Sequence, residues 1–211
     1  AGESTSLGAS TENPTEEPLQ SCHGCLHANA ETLDRDGLAL NRTFAPRSPA
    51  DVVLDALGEA LHDHGGDVLK LMGDGVLAIF TAADRTGACE AALSAAEDAP
   101  RRIADVNRRR SADQLPTTEL YLGLHVGEVF YGNIGSDERL DFTIVGPAVN
   151  EVSRIASMCR SVDQPLLVSS AFAAALGASR NPVVSVGRYA LRGVSRPQDL
   201  FTLPNDQAGD S

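Results

Sequence analysis

The chain has 211 residues, 42% of them hydrophobic, which is enough for one domain with a buried core, and a formal net charge of -12. An acidic chain is repelled by a polyphosphate backbone, which excludes nonspecific nucleic-acid binding and leaves a small nucleotide held by a few local cations. No apolar run reaches the length of a membrane span and the N-terminus lacks a basic-then-apolar leader, so the sequence reads as a soluble, cytoplasmic domain.

Residues 1–20 read as a disordered tail. The first fifty residues contain neither Val nor Ile, so residues 21–50 offer little from which to build a buried strand. Within them "CHGCLH" gathers Cys22, His23, Cys25 and His27, a possible zinc set that lacks a second pair of ligands downstream. With Cys89 and Cys159, the four cysteines do not describe a disulfide framework. Val52, Val53, Leu57 and Leu61 fall near helical spacing, and Gly65-Gly66 supplies the stop. "DVLKLM" and "VLAIF" flank the turn "GDG" and predict a β-hairpin with Asp74 at its tip.

"TGACEAALSAAEDAP" predicts an alanine-rich helix; "RRIADVNRRR" either continues it past Pro100 or starts a second one, with the arginines forming a solvated face. "ELYLGLHVGEVFYGNIG" predicts a long strand and hairpin. "LDFTIVG" predicts a strand that leads into the helix "PAVNEVSRIASMCR", with Pro147 in its first turn. "QPLLVSS" then gives a strand, "AFAAAL" a short helix, and "VVSVGRYALRGVSRPQDLFTL" a closing strand pair. No internal repeat is visible. The order predicts an α+β domain over residues 51–203, a ferredoxin-like antiparallel sheet with helices on one face, followed by a tail over 204–211.

Two places carry chemistry. A carboxylate on a hairpin tip between glycines, as at Asp74, lets a phosphate-bound Mg²⁺ approach the backbone, although an Asp-Gly turn is most often only a turn. Lys70 precedes it among apolar neighbours, where a lysine ordinarily snorkels to an edge. Asn150 and Arg154, four apart, share a helix face while Val149, Val152 and Ile155 turn to the core. Such an amide and guanidinium can orient a ribose and stabilise charge on a phosphate, or they can be an ordinary surface pair.

The stretches "HGGDVLKLMGDGVLAIF", "GLHVGEVFYGNIG", "LDFTIVGPAVNEVSRIASMCR" and "LRGVSRPQDLF" together resemble the catalytic domain of class III nucleotidyl cyclases, the adenylate and guanylate cyclase family, over about residues 50 to 203. The resemblance implies that Asp74 is one of two aspartates holding two Mg²⁺ or Mn²⁺ ions and that Lys70 hydrogen-bonds the adenine ring. It places Thr143 at the second base-reading position, Asn150 on the ribose and Arg154 on the transition state. Arg192 and Arg196 are both candidates for the phosphate cation of the closing strand. Lys70 with Thr143, in place of the Glu and Cys typical of guanylate cyclases, implies ATP. The implied active site lies between the protomers of a homodimer, and the implied role is intracellular signalling through cyclic AMP.

The resemblance stops short of the family's first metal aspartate, which lies on the first strand in a stretch of the form Asp-[Ile/Leu]-x-Gly-Phe-[Thr/Ser]. The nearest upstream candidates for that ligand are Asp34 and Asp36, but "ETLDRDGLAL" has no β-branched run before them and no Gly-Phe-Thr after. Residues 21–50 are therefore a divergent version of that strand region or an incomplete one. Two functions follow: an adenylate cyclase, and a cyclase-like domain that binds nucleotide or a partner without turnover. "HGGD" also prompts a diguanylate cyclase reading, but the Glu-Phe that should follow is missing.

Overall fold

The apolar run after the Gly-Asp-Gly turn forms strand β3 (Gly75–Phe80), every residue of which is buried. It pairs antiparallel with β2 (Gly66–Met72), which gives the predicted hairpin. The computed structural model describes residues 24–32, 49–72, 75–136, 139–177, 183–191 and 196–204. The predicted tail at 1–20, all of the predicted tail at 204–211 except residue 204, and the tip residue Asp74 lie outside the described residues.

Around this hairpin stand β1 (Gly24–Thr32), α1 (Pro49–Asp63), α2 (Arg85–Ala112), β4 (Thr118–His125), β5 (Phe130–Ser136), β6 (Arg139–Val145) and α3 (Pro147–Val162). The chain continues through β7 (Leu166–Ser169), α4 (Ser170–Leu176), β8 (Val184–Tyr189) and β9 (Gln198–Thr202). Seven strands form the main sheet in the order β2-β3-β1-β4-β7-β9-β8, and β5 and β6 form a separate hairpin. The run β2-β3-β1-β4 is the ferredoxin-like order, so the α+β class holds. One pair departs from antiparallel: β4 and β7 run parallel, because the chain between them crosses over through α3.

Three expectations are corrected. The composition of residues 21–50 predicts no buried strand, yet β1 lies in the middle of the sheet, paired from Gly24↔Phe80 to Asn29↔Gly75 with β3 and from Cys25↔His125 to Thr32↔Thr118 with β4. A strand with partners on both edges is held by its ladder, and tertiary pairing overrides weak intrinsic propensity. Helices cover both faces. Leu57 and Leu61 of α1, Ala92 and Leu93 of α2 and Phe172 of α4 pack with Phe80, Leu122 and Leu124 on one side. On the other, Ala148 and Val152 of α3 pack on Leu77 and Ile79, and Ile155 and Cys159 pack on Leu167 and Leu200. The arginines of α2 are not one solvated face. Arg102 joins Asp63 at 2.6 Å and Asp98 at 2.8 Å, and Arg110 is buried with its Nε donating to the Pro116 carbonyl at 2.6 Å. Helix α2 continues through Pro100, whose side chain is exposed, because the stripe Ala88, Ala92, Ala95, Ala99 and Ile103 is buried along its length.

Candidate active site

Helix α3 begins where the chain is forced to turn. Gly146 takes φ 153°, a backbone conformation that favours glycine, and a Cβ there would come within 2.9 Å of the Glu128 carbonyl oxygen. Pro147 follows in the first helical turn, where its fixed φ suits the helix and its missing N–H costs nothing. The helix then lies directly on the sheet. A Cβ on Gly123 of β4 would come within 2.8 Å of the Ala156 nitrogen and 2.9 Å of the Val152 carbonyl oxygen, and one on Gly127 within 2.8 Å of the Ala148 Cβ. The two glycines of "GLHVG" thus set the height of α3 above β4. Cys159 adds a tie by donating its thiol to the Leu122 carbonyl at 3.3 Å, and burial pushes that thiol's pKa up to about 12, so it stays protonated.

From this bed Asn150 is exposed and Arg154 half-buried one turn on, while Val152 and Ile155 are buried and Val149 packs against the Leu77 cluster, as the periodicity predicts. Among the described residues Arg154 has no carboxylate partner. Lys70 reaches the same side of the sheet by an irregularity. The register shifts between Val68 and Lys70, so Lys70 pairs with Leu77, whose side chain packs on α3. Without the extra residue, Lys70 would pair with Val76 and face α1 and α2. It stands exposed on the edge strand.

Asn150 and Arg154 are therefore together, Lys70 shares their side of the sheet, and no described contact joins it to them. Thr143 lies on β6, paired with Gly132 and three residues before Gly146. Arg196 is exposed just before β9. Asp34, Asp36, Asp74 and Arg192 lie outside the described residues, as do Cys22 and His23 of the cysteine-histidine stretch.

With Asp34, Asp36 and Asp74 outside the described residues, the described part of the site supplies no aspartate from β1 for a pair of metals. Strand β1 reads Gly-Cys-Leu-His-Ala-Asn-Ala-Glu-Thr, with no aspartate. At the hairpin end, the residue paired with Gly75, the neighbour of Asp74, is Asn29. The one carboxylate of β1, Glu31, pairs with Glu119 of β4. Among the described residues no group of three or more His, Cys, Asp or Glu stands ready for a metal.

Behind α3 runs a polar chain that the sequence reading passed over. Glu151 Oε2 meets His125 Nε2 at 2.9 Å, and Glu151 Oε1 accepts from Gln198 Nε2 at 2.7 Å. On the other side of the ring, His125 Nδ1 meets Ser169 Oγ at 2.9 Å, and that oxygen accepts the Phe172 N–H at 3.1 Å as the N-cap of α4. Burial lowers the His125 pKa more than the nearby Glu151 charge raises it, so the ring is held neutral. The only sequence hint was a histidine inside a buried strand.

No protein-family model matches the chain. The uncharacterized protein Rv1320c of Mycobacterium tuberculosis is 34% identical over 173 residues, covering 81% of this chain and 27% of that protein. A second uncharacterized protein of that species, MT1361, is 35% identical over 139 residues, covering 65% of this chain and 24% of its own. The chain thus spans about a quarter of the length of these curated relatives. Among solved structures, the adenylyl cyclase CyaB from P. aeruginosa superposes with a TM-score of 0.69 at 19% identity, over 89% of this chain and 96% of that one. The guanylyl cyclase Cya2 gives 0.64 at 21% identity, over 90% and 98%. The chain has the fold of the class III adenylyl and guanylyl cyclase catalytic domains.

Proposed function

We propose that this domain is an adenylate cyclase that converts ATP to 3′,5′-cyclic AMP and pyrophosphate, working as a homodimer in intracellular signalling. The observation that carries the reading is the pair Asn150 and Arg154, set one turn apart on a helix pressed onto the sheet, with Arg154 lacking a carboxylate partner among the described residues. In this reading the ribose 3′-oxygen attacks the α-phosphorus and pyrophosphate leaves. Asn150 orients the ribose, and Arg154 places its charge where negative charge grows on the pentacovalent phosphorus. Lys70 and Thr143 read the purine edge as donors, which selects adenine over guanine. Arg192 or Arg196 holds the departing phosphates. Asp74, with Asp34 or Asp36 as the candidate second ligand, would hold Mg²⁺ or Mn²⁺ bound with the nucleotide, which would supply neutralising charge for the phosphates.

The absence of an aspartate from β1 favours a second reading, a domain that binds nucleotide or a partner without turning it over. Incubating the purified protein with ATP and, separately, GTP in the presence of Mn²⁺ or Mg²⁺, and measuring cyclic nucleotide, separates the two. Cyclic AMP formed from ATP supports the first; saturable ATP binding with no product supports the second.

A further inference from the structure

We propose that His125 and Glu151 are positioning residues that fix the rotation of α3 and so aim Asn150 and Arg154; the inference rests on the cyclase reading above. Both functional side chains project from the part of α3 turned away from Ala148, Val152 and Ile155, so their aim is only as definite as the helix's angle about its own axis. The closest contacts beneath are made by small groups, Gly123 against the backbone at Val152 and Ala156 and Gly127 against Ala148, beside the apolar packing of Val152 on Leu77 and Ile155 on Leu167. That packing holds the helix close but is non-directional, so it defines the rotation of the Asn150 and Arg154 face less sharply than a pair of directed hydrogen bonds does. Glu151, between Asn150 and Arg154 in sequence, supplies the key.

Each of its carboxylate oxygens takes one hydrogen bond from a different strand, His125 of β4 at 2.9 Å and Gln198 of β9 at 2.7 Å. His125 is itself held from behind, since its other nitrogen meets the fully buried Ser169 hydroxyl on β7. With the ring neutral, every hydrogen bond in the chain has one direction. Phe172 N–H donates to Ser169 Oγ, Ser169 O–H to His125 Nδ1, His125 Nε2–H to Glu151, and the Gln198 amide to Glu151. The chain runs through the sheet from the N-cap of α4 on one face to α3 on the other. A group that only added stability would change the folded fraction, whereas a group that aims α3 changes turnover at each folded site.

The test measures steady-state cyclic AMP formation from ATP with Mn²⁺, and amide hydrogen exchange, on His125→Ala, Glu151→Ala, the double variant, Glu151→Gln and the control Asp98→Ala. His125→Ala and Glu151→Ala are each expected to lower kcat about tenfold or more with KM for ATP changed less than about threefold, because a small misplacement of a reacting group costs rate rather than binding. The double variant should fall no further than the worse single, since the two act as one unit. Glu151→Gln keeps an acceptor for His125 Nε2–H and should recover to within about threefold of wild type, with Gln198 turning its amide over. Asp98→Ala, which cuts an ion pair on α2, should leave kcat unchanged. Amides of residues 151–156 should exchange faster in both alanine variants while those of α2 do not. Wild-type kcat in either alanine variant, an additive double variant, or unchanged exchange in α3 overturns the proposal. If the wild type makes no cyclic nucleotide, the cyclase reading fails separately and exchange decides the anchoring: unchanged rates overturn it, faster rates in α3 alone support it.

Discussion

Gly123 of β4 and Ala156 of α3 stand backbone to backbone, so that a single Cβ on the glycine would sit 2.8 Å from the alanine nitrogen. Neither neighbour is a flexible side chain that could swing away, so α3 itself must move. Gly123→Ala is therefore expected to destabilise the fold by about 1–3 kcal/mol, as overpacking does, and to lower turnover beyond what the loss of folded protein explains. Urea denaturation followed by activity measured per folded molecule checks both parts.

His125 makes stability depend on pH. Its folded pKa lies below the ordinary value of 6.5 because burial disfavours the imidazolium. The unfolded chain therefore takes up the proton first on acidification, and the stabilisation present above about pH 6.5 is lost as pH falls from there toward the folded pKa. Thermal melts between about pH 8 and 5 should show this loss, and His125→Gln, which cannot titrate, should show a flatter dependence across the same window. Equal pH dependence in the two proteins would remove His125 as the cause.

The purine assignment predicts that Lys70→Glu with Thr143→Cys weakens ATP use and moves preference toward GTP, because an acceptor replaces a donor facing the base. Competition between ATP and GTP for the wild type and the double variant measures it. A wild type that binds GTP more tightly than ATP contradicts the assignment.

The carboxylate question is answered by Asp34→Ala and Asp36→Ala. Strand β1 supplies no aspartate beside the β2–β3 hairpin, so turnover is expected to be weak, greater with Mn²⁺ than with Mg²⁺, and lost in whichever single variant removes the second ligand. Vigorous Mg²⁺-dependent turnover that survives both substitutions would place that ligand elsewhere.

Much of the placement of the candidate residues on α3 was legible in the sequence because its signals are local. Pro147 after a glycine, the apolar positions Val152 and Ile155, and the four-residue spacing of Asn150 and Arg154 all lie within one helix. The β2–β3 hairpin was legible for the same reason. Strand β1 was not, since it lacks Val and Ile and owes its place to β3 and β4, distant in the chain. The extra residue that turns Lys70 to the α3 side leaves no mark in an apolar run. The same holds for the chain from Ser169 through His125 to Glu151 and Gln198, whose members come from four elements. Pro100 marks a helix break by local rules, and the buried alanine stripe of α2 outweighs it.

The most direct measurement of the central claim is cyclic AMP formation from ATP by the wild type and by Arg154→Ala, with ATP binding measured on both. The account predicts measurable product from the wild type, a loss of about a hundredfold or more in kcat on removing the guanidinium, and an ATP affinity changed only slightly, because that charge acts chiefly on the transition state. Product formed at equal rates by the two proteins, or ATP bound by the wild type with no product at all, would contradict it.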